Sequence, residues 1–226
     1  MSTAFPLAER DRPDVAAAII ETFGDRSAVA DAYVELLRTN GIDRGLVGPR
    51  EADRLWRRHI LNSTVLAPLI SPAARVVDLG SGAGLPGIPL AIARPDLRMV
   101  LLEPMHRRVS FLRDCIAALG LSNVSVAQGR AQDGLAPLAD FVVARAIAPL
   151  EPLMRLSFGL LADNGVLLAL KGAKAAGELD TMQRESTVNA QLLTLPALDQ
   201  PATVIRVIHP ARASQSRPRR ARKGSR

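Results

Sequence analysis

The chain has 226 residues, 48% of them hydrophobic, enough for one well-buried core with at most a small attached unit. A single cysteine, Cys115, excludes a disulfide framework, and no apolar run approaches the roughly 18 residues of a membrane span. The net charge of +7 sits at one end: Arg212 to Arg226 carries Arg212, Arg217, Arg219, Arg220, Arg222, Lys223 and Arg226 with no acid, so the remainder nets zero. A reducing, cytoplasmic setting without membrane contact is expected.

Residues 1–70 read as an N-terminal helical region. Met1-Ser2-Thr3-Ala4-Phe5-Pro6 lacks the basic start and apolar run of a secretory signal. From Asp14, apolar residues recur at helical spacing: Val15, Ile19, Ile20 and Phe23 before Gly24, then Val29, Tyr33, Leu36 and Leu37 before Gly41. A third helical segment, Glu51 to Ile70, carries Leu55, Trp56, Ile60, Leu61, Val65, Leu66 and Leu69. Trp56 is expected to pack this unit rather than stack on a base.

Residues 71–211 alternate between strand and helix patterns, which implies a mostly parallel sheet. Val76-Val77-Asp78-Leu79 reads as a buried strand ending in a carboxylate. Gly80-Ser81-Gly82-Ala83-Gly84 follows as a tight turn, and an apolar helix opens near Pro86. Gly82-Ala83-Gly84-Leu85-Pro86-Gly87 matches the dinucleotide pattern G-x-G-x-x-G, but out of register, because Asp78-Leu79-Gly80-Ser81 separates it from the strand. A carboxylate at Asp78 suits a ligand bearing a positive charge or amine donors and is poorly placed beside a pyrophosphate. S-adenosylmethionine has an amino group, a sulfonium and no phosphate. The order strand-Asp-x-Gly-x-Gly-x-Gly is typical of methyltransferases that use it.

Arg98 to Glu103 reads as a second strand ending in an acid about 20 residues past the turn, where a carboxylate can bind two ribose hydroxyls. A strand-end or helix-start charge is the plainer reading of Glu103. The helix from Pro104 to Leu119 presents Val109, Leu112, Ile116 and Leu119, stops at Gly120, and places Cys115 in the core. Further strands are expected at Asn123–Ala127, Asp140–Ala144, Gly165–Leu170, Ala190–Leu195 and Ala202–Ile208. The fold class is therefore α/β, a class I methyltransferase (Rossmann-like) domain with a seven-stranded, mostly parallel sheet whose last pair is an antiparallel hairpin.

The methyl acceptor is narrowed by what is missing. After the fourth strand the chain reads Ala144-Arg145-Ala146-Ile147-Ala148-Pro149, without the Asn/Asp-Pro-Pro-aromatic turn of amino-group methylation. Cys115 is a poor thiolate for attack at pyrimidine carbon. A ring nitrogen such as guanine N7 needs neither device, and positioning alone can contribute about 7–11 kcal/mol. Arg145 is a candidate for guanine positioning through O6; its plainer reading is an ion pair with Asp140 or Glu151. The basic tail, residues 212–226, reads as a disordered arm for RNA phosphates or as a solubilising extension.

At this point the residues resemble a known family. Asp78 through Ile92 followed by Arg94-Pro95 is similar to the RsmG (GidB) family of bacterial 16S rRNA guanine-N7 methyltransferases. Arg58-His59-Ile60-Leu61-Asn62-Ser63, Arg107 through Arg113, Arg145-Ala146-Ile147-Ala148 and Leu170-Lys171-Gly172 extend the likeness. The resemblance implies S-adenosyl-L-methionine as cofactor. It also implies methylation of a guanine in the 530 loop, with 16S rRNA or the small ribosomal subunit as partner and no metal. A monomer is expected. By position it places cofactor contacts at Gly80, Leu85, Ala131, Gln132 and Arg145, beside the Asp78, Gly82 and Glu103 read above.

This chain departs from the family where Gln132 replaces a frequent Glu, Gly45-Leu46-Val47 a frequent Asn-Leu-Thr, and Asn62 a frequent Asp. His59 reads as a substrate- or cofactor-orienting group or, more plainly, a structural hydrogen-bonder. Lys171 reads as an RNA contact or a solvated strand-end lysine. A nicotinamide-dependent oxidoreductase and a non-catalytic RNA-binding module are the alternatives. The first lacks a Tyr-x-x-x-Lys pair, Tyr33 being the sole tyrosine, and the second should have lost Asp78, Glu103 and Arg145.

Overall fold

The computed structural model describes residues 8–145, 147–185 and 187–211; the basic tail lies outside the described residues. Seven strands form one sheet in the order β3-β2-β1-β4-β5-β7-β6. They are β1 (Arg75–Leu79), β2 (Arg98–Glu103), β3 (Val124–Gln128), β4 (Ala139–Arg145), β5 (Leu161–Lys171), β6 (Ala190–Leu195) and β7 (Ala202–Ile208). β7 runs antiparallel to both β5 and β6, and the other pairs are parallel. The expected class, strand number and final hairpin are all present. β5 starts earlier than its sequence pattern shows, at Leu161, through Asn164 in the left-handed region (φ 62°).

Alternate strand residues serve opposite faces, as a pleated strand requires. Val76, Leu101, Val143 and Leu168 join one apolar cluster, and Val77, Leu102, Val142 and Leu167 the other. The first face is covered by α1 (Pro13–Phe23), α2 (Ser27–Leu36), α4 (Gly87–Ala93) and α5 (His106–Leu119). The second is covered by α6 (Leu150–Phe158) and α7 (Ala175–Glu185). Burial on both faces explains why β1 and β2 read as continuous apolar runs rather than alternating ones.

The N-terminal helices share the sheet's core: Val15, Ile19, Phe23, Tyr33 and Leu37 lie in the same cluster as Val76 and Leu101. Ile20 is a correction. It is 66% exposed, because Val15, Ile19 and Phe23 already fill the buried stripe at four-residue spacing and Ile20 lies about 100° away. The third segment is also not one helix. It runs as a 3-10 stretch (Pro49–Arg54), a wide π-type stretch (Leu55–Leu61), one turn of α-helix, α3 (Asn62–Thr64), and a further 3-10 turn (Ala67–Leu69). Pro68 withholds the amide donor that would carry the helix on past Thr64, whereas Pro49 opens its stretch, where no donor is needed. Glu9 caps the wide stretch, accepting the Trp56 and Arg57 N–H groups at 2.9 and 3.0 Å. Trp56 is buried edge-on to Phe23, as expected of a packing residue.

The strand order reverses between β1 and β4, where neighbouring crossovers leave in opposite directions. In an open α/β sheet this opens a crevice at the carboxyl ends of the strands. The glycine turn after β1 sits there.

Candidate cofactor and substrate site

The turn continues the β1–β2 pairing for two residues, with the Gly80 and Ser81 N–H groups donating to the Leu102 carbonyl at 2.9 and 3.2 Å. It then bends through left-handed backbone at Gly80 (φ 69°), Gly82 (φ 59°) and Gly84 (φ 97°). Each of these conformations is costly for any residue with a Cβ. Two of the three also lack room. A Cβ at Gly80 would come 2.9 Å from Ile147 Cγ2, and one at Gly84 2.5 Å from Ile88 Cδ1. Gly87 opens α4 with a different constraint: its Cβ would lie 2.5 Å from Leu101 Cδ2, so the helix rests directly on the sheet. Pro86 stands just before α4 rather than inside its first turn.

Two acids at the strand ends hold this turn. Glu103 is almost wholly enclosed, its Oε2 accepting the Gly82 N–H at 2.9 Å and its Oε1 the Met105 N–H at 3.0 Å. It therefore ties the turn to the start of α5: the helix-start reading of this acid holds, and the tie to Gly82 is what its sequence position did not disclose. Each carboxylate oxygen keeps a second lone pair. Asp78 lies beneath the turn rather than on its outer face. Its Oδ2 accepts the Ser81 hydroxyl at 2.7 Å and the Gly87 N–H at 3.0 Å, while Oδ1, equally buried, has no hydrogen-bond partner among the described residues. Burial pushes its carboxyl up to about 7, against the pull of these two hydrogen bonds.

Sequence reading missed Tyr33. From α2 its hydroxyl donates to the Ala83 carbonyl at 2.8 Å, so the N-terminal region braces the glycine turn directly. An apolar-stripe reading shows only the ring; the hydroxyl's partner is 50 residues away.

Leu85 is half-buried at the end of the turn. Ala131 and Gln132 stand on a short 3-10 turn (Ala131–Asp133) beyond β3, with Gln132 exposed. Gly129 donates to the Glu103 carbonyl at 3.2 Å, which sets the end of β3 beside that of β2. Two exposed apolar side chains lie here, Met105 and Leu135, the latter leaning over Gly129. Neither was singled out from sequence, because each is an isolated apolar residue in a polar stretch.

Arg145 ends β4. Val143 is in register with Asp78, so Arg145 lies level with Gly80. It pairs with neither Asp140 nor Glu151, whose partners are Arg75 and Arg155. Instead its guanidinium donates to the Arg58 carbonyl at 3.1 Å, the His59 carbonyl at 3.4 Å and His59 Nδ1 at 2.8 Å. His59 Nε2 faces Glu51 Oε2 at 2.9 Å. Burial, reinforced by the nearby Arg145 charge, lowers the imidazole pKa, and burial likewise lowers that of Arg145.

Lys171 is neither solvated nor free for RNA. Its ammonium is buried, donating to the Ala148 carbonyl at 2.6 Å and to Glu178 Oε2 at 2.8 Å. Glu178 also accepts the Leu150 N–H at 2.7 Å. The pair thus clamps the loop that carries Ile147 against Gly80. Burial pushes the Cys115 thiol up to about 12, which disqualifies it as a nucleophile.

Beside Arg145 opens a cleft of about 680 Å3, lined by Arg54, Arg57, Arg58, Asn62 and Lys171 among others. Among the described residues, no group of three or more His, Cys, Asp or Glu side chains is placed to hold a metal, and no helix is long and apolar enough to cross a membrane.

Comparison with known proteins agrees with this fold. The chain superposes on the S-adenosylmethionine-dependent methyltransferase SibL with a TM-score of 0.58 at 20% identity, over 87% of this chain and 74% of that one. That likeness speaks for the fold alone. Among curated proteins it is 46% identical over 223 residues to the Ribosomal RNA small subunit methyltransferase G of Frankia casuarinae, covering 94% of this chain and 84% of the relative. It is 46% identical to the protein of the same name from Mycolicibacterium paratuberculosis, covering 97% and 90%. The profile of the GidB family, described as rRNA small subunit methyltransferase G, matches residues 26–205, a span that takes in Tyr33, the glycine turn, Arg145, β6 and the first half of β7. The chain belongs to the GidB family.

Proposed function

We propose that this protein is an S-adenosylmethionine-dependent methyltransferase that methylates N7 of a guanine in the 530 loop of 16S rRNA. The observation that carries the reading is the left-handed glycine turn, pinned by Glu103 and level with Arg145, in a chain of this family. The residues present fit the cofactor. The turn leaves backbone bare where a ligand approaches. Glu103 retains acceptor capacity for ribose hydroxyls, and Gln132 with the Ala131 N–H can read an adenine edge, between the apolar surfaces of Met105 and Leu135. The unpartnered Asp78 Oδ1 is an acceptor that a nearby cation would satisfy.

When bound, the cofactor supplies an electrophilic methyl on a sulfonium sulfur. An in-plane lone pair such as that of guanine N7 carries no proton, so no general base is required. The chain's task is to hold the acceptor in line and to exclude water. Arg145, fixed from behind by His59 and two carbonyls, is the residue best placed to orient the base. Ile147, packed against Gly80, forms one apolar wall of the turn.

The test is transfer of tritiated methyl to small-subunit rRNA from cells lacking the protein, followed by borohydride–aniline cleavage, which cuts at 7-methylguanosine. Cleavage in the 530 loop is expected. Transfer to another atom or region would overturn the assignment.

A further inference from the structure

The cationic side chains of the cleft are not equivalent. Arg57 is committed to Asp14 and Asp199 and Lys171 to Glu178, while Arg145, held by the carbonyls of residues 58 and 59, is the group already assigned to the base. Two arginines remain. Arg54 is exposed and has no hydrogen-bond or ion-pair partner among the described residues, and Arg58 is half-exposed with one contact, 3.2 Å to a Glu51 oxygen that it shares with His59. They stand four residues apart on adjoining helical stretches and line the same cleft. Both charges act on the Glu51 carboxylate, Arg58 through its 3.2 Å contact, and both side chains remain open to solvent.

The cleft is also of the right kind. Its volume, about 680 Å3, is that of a site for one small ligand rather than a groove for a strand. It lies at the carboxyl ends of β4 and β5, on the far side of Arg145 from the glycine turn. A base seated there would face a cofactor held along the glycine turn. Phosphate contacts fix register and orientation without reading sequence, a duty that two solvent-exposed arginines lining a cleft can perform.

We propose that this cleft seats the target nucleotide of the RNA and that Arg54 and Arg58 bind the phosphates flanking it. The proposal rests on the functional reading above and adds to it the place and the contacts. Arg57 and Lys171, although cationic and in the same wall, are scaffold.

The test uses the full-length protein with unmethylated small-subunit rRNA. Arg54→Gln and Arg58→Gln should each raise KM for RNA about tenfold near physiological salt and leave kcat within about twofold. Each should shallow the slope of log affinity against log salt by about 0.7–0.9. Affinity for S-adenosylhomocysteine should not change. Arg54→Lys and Arg58→Lys should recover most of the loss, and an unchanged pH profile of kcat in Arg58→Gln separates a phosphate contact from damage to the Glu51–His59 pair. Arg98→Gln, an equal charge change at the opposite ends of the strands, is the control and should leave KM unchanged. Wild-type KM in both Gln variants, or an equal rise in Arg98→Gln, would overturn the proposal while leaving the methyltransferase reading intact. Absence of transfer to any RNA by the wild-type protein would instead overturn that reading, and this proposal with it.

Discussion

Arg145 donates a guanidinium N–H to Nδ1 of His59 across 2.8 Å, joining the end of the fourth strand to the helical region 86 residues earlier in the chain. The contact fixes the imidazole as an acceptor at Nδ1 and so as a donor at Nε2, where Glu51 waits at 2.9 Å. Protonating the ring would set an N–H against an N–H.

The acid behaviour of this pair follows from its sign. His59 has a folded pKa below the ordinary 6.5, so the stability it contributes is fully present above that pH. It is lost as pH falls through the lower folded value. Urea unfolding at about pH 7.5 and about pH 5.5 should show the wild-type protein losing more stability than His59→Gln. Equal losses would mean that the pair does not titrate with folding.

Asp78 carries the opposite sign. Its folded pKa of about 7 lies above the ordinary 3.8, so its contribution is intact below 3.8 and lost as pH rises through about 7. Asp78→Asn, keeping an acceptor for the Gly87 N–H, should flatten the fall in Tm of the cofactor-free protein over that window. An unchanged pH profile would place the titration elsewhere.

The glycines of the turn should not tolerate alanine equally. Gly80→Ala meets left-handed backbone and Ile147, which can give way, and should cost about 1–2 kcal/mol in stability with a fall in S-adenosylhomocysteine affinity. Gly84→Ala meets Ile88 and the Tyr33 hydroxyl together and should cost more. Denaturant unfolding with calorimetric titration separates the two effects.

Tyr33→Phe removes one buried donor and strands the Ala83 carbonyl. About 1–3 kcal/mol of stability should go, with weaker cofactor binding, although the residue lies outside the sheet. Binding at the wild-type level would show that the turn holds its shape without the brace.

Lys171→Met leaves Glu178 with the Leu150 N–H but without its counter-ion. Because Glu178 is partly exposed, the loss should be about 2–3 kcal/mol, below that of a fully buried pair. The double variant with Glu178→Gln should recover part of it in a mutant cycle.

Much of the architecture was legible locally. β2, β6 and β7 and the Gly120 stop of α5 fall where runs of apolar residues and a left-handed glycine place them, because pleat, helical period and backbone freedom are properties of a few adjacent residues. The turn after Asp78 was legible for the same reason. Ile20 and the broken third helical segment were not, since which of two adjacent apolar residues is buried depends on what stands opposite.

What the sequence determined by itself was the order of elements, the glycine turn and the kind of ligand it suits. The tertiary structure alone decided which charges are committed and which are free. Lys171 found Glu178, Arg145 found His59, Asp78 went beneath the turn, and Arg54 has no ion-pair partner among the described residues. A side chain's chemistry is written in its residue type, but its partner is fixed by the packing of segments distant in the chain, and burial then sets whether its charge is spent on the fold or left for a ligand.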